Sequence, residues 1–167
     1  MKNYIKNYND DYYVFKLTAN QEKHIEYMNT GFNHIYNDNG ICKLYTYDGY
    51  IILDQDAEKL FETYGDDDVL SIDSMGIVYE QYRATSSDNA IVCTLQCNSN
   101  CCMCPCSEMS RRTSEICSLG ELKELIRYIP RTAPFLTITG GEPTLLKDDF
   151  FELLKTLQYD FDETRFL

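Results

Sequence analysis

Cysteines are concentrated in one short stretch of this chain: six of the eight lie between Cys93 and Cys106. A disulfide-bonded scaffold distributes its cysteines along the chain and forms in an oxidising compartment. The first residues contain no apolar segment of the kind that directs export, so we expect a cytoplasmic protein whose thiols stay reduced. In that compartment, cysteines this closely spaced indicate metal binding.

Three of these cysteines, Cys97, Cys101 and Cys104, have the spacing C-x3-C-x2-C directly after a predicted strand. Three thiolates on one loop can hold one face of a [4Fe–4S] cluster and leave one iron open to a small molecule, since clusters ligated only by protein use four cysteines. A structural zinc site would need a fourth thiolate, which Cys106 could supply. Zinc sites usually combine two separate cysteine pairs, and the sequence has no second pair. The iron–sulfur site is therefore favoured, and zinc stays the alternative.

The other cysteines do not share this spacing. We expect Cys42 and Cys117 to be small, buried apolar side chains. Cys93 lies on the predicted strand and is expected to be structural. Cys102 and, outside the zinc alternative, Cys106 have no assigned role.

A second motif, Gly140-Gly141-Glu142-Pro143, follows the next predicted strand. Two glycines at the carboxyl end of a parallel strand allow a ligand to approach the backbone closely. Glu142 adds a carboxylate suited to an ammonium group. Taken alone, the motif also suits an ordinary turn between a strand and a helix. Both motifs end consecutive parallel strands, however, and in β/α folds that edge of the sheet carries the chemistry.

The pattern of apolar residues divides the chain in two, with a polar linker at 85–89. Residues 1–85 are predicted to form a small, mostly β unit with strands at 11–19, 42–47, 50–53, 69–72 and 77–82 and helices at 21–28 and 56–64. Residues 86–167 are predicted to form an α/β unit with strands at 90–95, 135–139 and 164–167 and helices at 119–129 and 148–157. This alternation indicates a parallel sheet. The apolar side chains of the last predicted helix are Phe150, Phe151, Leu154 and Leu157.

Charge and hydropathy exclude two classes of partner. The 27 acidic and 15 basic side chains leave a net charge of −12, which repels phosphate backbones, so we expect no nucleic-acid partner. The chain has no apolar run long enough to span a bilayer, so we expect no membrane partner.

The two motifs together resemble the radical S-adenosylmethionine (radical SAM) superfamily, over about residues 90–167. The resemblance implies the N-terminal part of a partial β/α barrel with parallel strands, preceded by the small β unit. It also implies that Cys97, Cys101 and Cys104 hold a [4Fe–4S] cluster, whose fourth iron binds the amino and carboxylate groups of S-adenosylmethionine. The residues implied to line this cofactor are Met103, Gly140, Gly141, Glu142 and Pro143.

The activity implied by this resemblance is reductive cleavage of S-adenosylmethionine to a 5′-deoxyadenosyl radical, which abstracts hydrogen from a substrate. Such a reaction requires an electron donor for the cluster as a partner. The family often has an aromatic residue where this chain has Met103, whose flexible thioether can fill the same space. No side chain is assigned to catalysis.

A finer resemblance concerns three segments: Asp-Asn-Ala-Ile-Val at 88–92, Cys-Met-Cys-Pro at 102–105 and the fifteen residues that begin with Gly-Gly-Glu-Pro at 140–154. They are similar to the radical SAM maturases of the His-Xaa-Ser system, which implies a ribosomally made peptide or small protein as substrate. Residues 90–167 amount to two and a half β/α units, whereas a six-unit partial barrel needs about 180 residues, so we expect a chain truncated at its C-terminus. The alternative class is a non-catalytic peptide-recognition module that holds zinc or a degenerate iron–sulfur site.

Overall fold

The fold is described from a computed structural model, which covers residues 3–5, 8, 11–114, 116–161 and 164–166. The chain divides into two compact units, Met1–Thr85 and Ser86–Leu167. The division falls at the polar segment 85–89.

The first unit is built on a seven-stranded sheet, mostly antiparallel, so the prediction of a mostly β unit is confirmed. Its elements are β1 (Asn3–Tyr4), β2 (Tyr13–Thr18), α1 (Gln21–Thr30), β3 (His34–Asp38), β4 (Ile41–Thr46), β5 (Gly49–Ile52), a 3₁₀ helix (Gln55–Glu62), β6 (Val69–Ile72) and β7 (Ile77–Tyr82). The strand order is β1-β7-β6-β2-β3-β4-β5. Buried side chains from both halves of the sheet, including Phe15, Ile35, Leu44 and Leu70, form one core with Leu60 of the 3₁₀ helix.

Strand β3 was not predicted, and it pairs in parallel with β2 through the crossover helix α1. Asn20 begins α1, because its side-chain oxygen accepts hydrogen bonds from the first free backbone N–H groups. Gly31 ends it in the left-handed conformation at φ 69°. Strand β3 is short and includes Asn37 and Asp38, so its sequence shows little strand pattern, although His34 and Ile35 are fully buried.

The helix predicted at 56–64 is instead the 3₁₀ helix Gln55–Glu62. The Ala57 N–H donates to the carbonyl of Asp54 (3.1 Å) and the Thr63 N–H to that of Leu60 (3.0 Å), so both bonds span three residues. The two buried side chains, Ala57 and Leu60, are also three apart. This spacing places both side chains on the buried face of the 3₁₀ helix.

The second unit contains the α/β part of the chain. Its elements are β8 (Ala90–Val92), α2 (Glu108–Thr113), α3 (Leu119–Tyr128), β9 (Phe135–Thr139), a 3₁₀ helix (Pro143–Leu146), α4 (Asp148–Asp160) and β10 (Arg165–Phe166). The sheet has the order β10-β9-β8 and both pairings are parallel, as predicted. Leu167, the last residue of the predicted third strand, lies outside the described residues. In the part of the chain that the structure describes, these three strands do not close a barrel, so the partial barrel is not confirmed.

Helices α3 and α4 pack against each other in this unit. Helix α3 begins with the predicted capping box, in which Ser118 and Glu121 exchange side-chain and backbone hydrogen bonds. Of the four apolar side chains named on α4, Leu157 is buried and Phe150 half-buried, but Phe151 and Leu154 are exposed, and Leu153 is buried instead. Leu153 and Leu157 lie one turn apart, so they define a buried face that turns Phe151 and Leu154 outward. Among the described residues, no helix is long and apolar enough to cross a membrane.

Both histidines of the chain meet inside the first unit. The Nδ1 of His34 lies 2.9 Å from the carbonyl oxygen of Phe32, and its Nε2 lies 2.8 Å from the Nδ1 of His24. A carbonyl only accepts, so a neutral His34 donates through Nδ1 and accepts from His24 through Nε2. The His34 ring also stacks on Tyr45, and the His24 ring on Tyr36. Burial lowers the pKa of both imidazoles.

We expect the first unit to lose stability as the pH falls below about 6.5, the ordinary pKa of histidine. The unfolded chain takes up protons there that the buried His34 and the half-buried His24 resist, so the free energy of unfolding decreases as the pH decreases. Its slope from His34 is at most about 1.4 kcal/mol per pH unit. The pH dependence is measured by unfolding the protein in urea and monitoring the hydrogen exchange of β3 amides. His34→Gln should flatten the slope. An equal slope in that variant would show that other groups cause it.

Candidate functional site

The two predicted motifs lie side by side at the carboxyl edge of the parallel sheet. Strands β8 and β9 pair in register, with Val92 opposite Thr139, and the pairing continues beyond their ends. The Cys93 N–H donates to the Thr139 carbonyl (2.9 Å), the Gly141 N–H to that of Thr94 (2.7 Å) and the Glu142 N–H to that of Gln96 (2.9 Å). The start of the cysteine loop is thereby hydrogen-bonded along the glycine motif.

The glycines allow this close approach of two backbone segments. Gly140 has φ 150°, a conformation that residues with a side chain rarely adopt, and a Cβ atom there would collide with the Thr94 carbonyl. A Cβ atom on Gly141 would collide with the Gln96 carbonyl. The two glycines were predicted to allow the approach of a ligand, whereas their nearest neighbour in the structure is the 94–96 segment of the chain itself.

Glu142 begins the 3₁₀ helix Pro143–Leu146, in which Pro143 takes the first position. Its Oε1 accepts hydrogen bonds from the Thr144 hydroxyl (2.7 Å) and from the Thr144 backbone N–H (3.1 Å). These two bonds lower the pKa of the Glu142 carboxyl, the hydroxyl contributing more. The carboxylate is therefore negatively charged near neutral pH and held in a fixed orientation, as recognition of an ammonium group requires.

The three predicted metal ligands lie on one irregular loop between β8 and α2. Cys97 and Cys104 are half-buried, Cys101 is exposed, and all three are free thiols. The Cys97 N–H donates to the Arg111 carbonyl (2.9 Å), and the Cys104 N–H to that of Cys101 (3.2 Å). The Ser99 N–H points at the Cys97 sulfur at 3.4 Å, the kind of bond that tunes a metal-bound thiolate.

Among the described residues, no group of three or more cysteine, histidine, aspartate or glutamate side chains is arranged to hold a metal ion. Cys97, Cys101 and Cys104 thus share a loop without converging on one point. The donor set nevertheless fits an iron–sulfur cluster chemically, since three accessible thiols on one loop are the ligands such clusters use. Met103, expected near the cofactor, is 91% exposed.

The other cysteines separate into two groups. Cys42 is buried, as predicted, and Cys93, which was expected to be structural, is buried as well; burial raises the pKa of each thiol to about 11. Cys117 was expected to be buried but is half-buried. It lies where the loop returns to the sheet through a single bridge between Thr94 and Ile116, so protein covers only part of it.

Helix α2 is a component of the site that sequence reasoning missed. Ser107 caps it, and its Arg111 holds the loop through the Cys97 N–H and through a hydrogen bond from Nη2 to Asn100 Oδ1 (3.2 Å). A cavity of about 160 Å³ lies between them, lined in part by Cys97, Arg111 and Arg112. Ser107 is a capping signal, but the helix has only six residues and no apolar periodicity to support it.

No protein-family model, curated protein or solved structure matches this chain. The superfamily resemblance therefore rests on the two motifs and on their placement at one edge of the sheet.

Proposed function

We propose that this chain carries the cofactor-binding part of a radical SAM enzyme. The observation that supports the proposal is the hydrogen-bonded contact between the stem of the cysteine loop and the Gly140-Gly141-Glu142 motif at the carboxyl ends of β8 and β9. Two motifs 36 residues apart, Cys104 to Gly140, share one edge of a parallel sheet, where β/α folds place their chemistry. When bound, a [4Fe–4S] cluster with S-adenosylmethionine would supply a radical that abstracts hydrogen from a substrate.

In this proposal Cys97, Cys101 and Cys104 supply the three thiolates. Their loop has no helix or strand of its own between Leu95 and Ser107, so its thiols can move together when metal binds. Metal sites commonly form in this way, with ligand binding coupled to local ordering. The Ser99 N–H would then stabilise the negative charge on the Cys97 sulfur.

Glu142 would bind the amino group of the methionine moiety. Thr144 occupies one carboxylate oxygen and fixes the side chain, which leaves the second oxygen to accept from an ammonium group. The contact would be a charge-assisted hydrogen bond. Pro143 holds the backbone after Glu142 in the conformation that begins the helix.

The substrate class in this proposal is a ribosomally made peptide or small protein, and it rests on the resemblance of residues 88–92, 102–105 and 140–154 to maturases of the His-Xaa-Ser system. An electron-donating protein is the second partner, because the cluster must be reduced in each cycle. The proposed location is the cytoplasm, where the loop thiols stay reduced.

Adding S-adenosylmethionine to the reduced, iron-reconstituted protein is expected to change its electron paramagnetic resonance spectrum, because new ligands on one iron alter its electronic environment. Glu142→Gln keeps an oxygen for Thr144 but removes the negative charge. We expect it to weaken S-adenosylmethionine binding about 10- to 100-fold in a titration of the same signal.

Glu152→Gln is the matched control for this titration. Glu152 lies on α4 and pairs on the surface with Lys155 (2.7 Å), so its loss should leave the titration unchanged. A folded, cluster-loaded protein with no spectral response to S-adenosylmethionine would exclude the proposed function.

A further inference from the structure

Cys93 and Cys117 face each other across the base of the cysteine loop. Just beyond β8, Thr94 and Ile116 form an antiparallel bridge that closes the loop. On the side of this bridge away from the loop, the next pair of residues is Cys93 and Cys117. The Cys117 N–H donates to the Cys93 carbonyl at 3.2 Å. The two cysteines are therefore register partners on the two stems.

Their placement suits a disulfide. Directly opposite residues of an antiparallel pair point their side chains to the same face. Opposite residues of an antiparallel pair have Cα atoms about 4.5–5.5 Å apart, within the range that disulfides span. The two thiols are also close enough to interact electrostatically: burial is the main cause of the raised pKa of Cys93, and the neighbouring Cys117 raises it further.

The two sulfurs differ in access to solvent. Cys93 is fully buried, whereas Cys117 is half-buried at the edge of the stem. Burial also raises the pKa of Cys117. An external oxidant therefore reaches Cys117 before Cys93, which has no surface exposed to solvent.

We propose that Cys93 and Cys117 form a reversible disulfide that closes the base of the cysteine loop in response to a low-molecular-weight disulfide. The Cys117 thiolate attacks one sulfur of the reagent, which forms a mixed disulfide and releases one thiol. The Cys93 thiolate then attacks the Cys117 sulfur, which forms the internal S–S bond and releases the second thiol. Two protein thiols are oxidised, one small disulfide is reduced to two thiols, and the protons of the protein thiols end on those products.

This bond would covalently join the stems on either side of Cys97, Cys101 and Cys104 without consuming any of them. The stem also carries the hydrogen bond from the Gly141 N–H to the Thr94 carbonyl, so the cross-link would hold the loop against the glycine motif. The pair is independent of the proposed enzymatic function, because it requires only the geometry of the stems.

The test uses the full chain with the five loop cysteines replaced: Cys97→Ser, Cys101→Ser, Cys102→Ser, Cys104→Ser and Cys106→Ser. Trypsin cleavage after Arg83, Arg111 and Lys123 then places Cys93 and Cys117 in separate peptides, each with a single cysteine, while Cys42 lies in a third. The folded protein is treated with oxidised glutathione, and the products are identified by mass spectrometry. Circular dichroism verifies that the variant is folded.

We expect a single cross-linked pair of peptides, lighter by two hydrogen atoms than the sum of its parts, that disappears with dithiothreitol and with an added Cys93→Ser or Cys117→Ser. Glutathione retained on Cys117 should accumulate in the Cys93→Ser protein, because the second step is blocked. Two results in a folded protein that still has Cys93 would overturn the proposal. In one, Cys117 keeps its glutathione; in the other, Cys117 stays reduced. Should the five-fold variant not fold, fragmentation of the cross-linked peptides of the unaltered chain identifies the partner of Cys117, and any partner other than Cys93 overturns it equally.

Discussion

Cys97→Ala, Cys101→Ala and Cys104→Ala are each expected to abolish the iron–sulfur chromophore that the unaltered chain acquires on anaerobic reconstitution with iron and sulfide. The unaltered protein should turn brown, with broad absorption near ~400 nm from thiolate-to-iron charge transfer. Two thiolates cannot hold the cluster, so the expected loss of bound iron is nearly complete at each position. Iron and sulfide analysis of the purified proteins measures it.

Cys42→Ala is the control, because Cys42 is buried in the core of the first unit and should leave the iron content unchanged. Cys106→Ala distinguishes the two candidate metals. Its half-buried thiol lies on the same loop, and a four-cysteine zinc site would need it, whereas a cluster with one open iron would not. A colourless protein that retains one zinc, and loses it equally in all four loop variants, would contradict the iron–sulfur assignment.

The parts of the fold that the sequence predicts are those with a strong local signal. The apolar runs of β8 and β9 predict both strands, and Ser118 with Glu121 predicts where α3 begins. Each of these signals comes from residues adjacent in the sequence, such as a capping hydrogen bond that spans three positions. They also predict that the two motifs share one edge of a parallel sheet, since consecutive strands joined by a helix run parallel.

Elements that depend on distant partners escaped prediction. Strand β3 pairs with β2 and β4 on its two sides, and helix α2 is joined to the cysteine loop by the hydrogen bond from the Cys97 N–H to the Arg111 carbonyl. Neither has an apolar period of its own. The arrangement of Cys97, Cys101 and Cys104 is a further case, since spacing along a loop sets how far apart its thiols can lie but not where they point. Gly140 and Gly141 are a similar case, because they pack against the 94–96 segment, and the sequence around the glycines does not show this contact.

Gly141→Ala is expected to destabilise the second unit by about 3 kcal/mol, because the new methyl group would collide with the carbonyl of Gln96 and force the two backbone segments apart. The hydrogen bond from the Gly141 N–H to the Thr94 carbonyl would lengthen as well. Gly141 is a cleaner test than Gly140, since its backbone conformation is open to any residue and only the contact opposes the side chain. The loss in free energy of unfolding is measured by unfolding the protein in urea and monitoring the hydrogen exchange of α3 amides, which reports on the second unit alone.

Gly120→Ala is the matched control for this substitution. Gly120 lies within α3, where the nearest atom to an added Cβ is the Ser118 hydroxyl oxygen at 3.8 Å, so alanine should stabilise the helix by about 0.5–1 kcal/mol. The pair of variants also separates two reasons for a glycine at 141. If the close contact with Gln96 is the reason, Gly141→Ala loses stability before any cofactor is added. A variant of normal stability that reconstitutes its cluster but no longer responds to S-adenosylmethionine would instead assign the glycine to the ligand, as the sequence alone suggested.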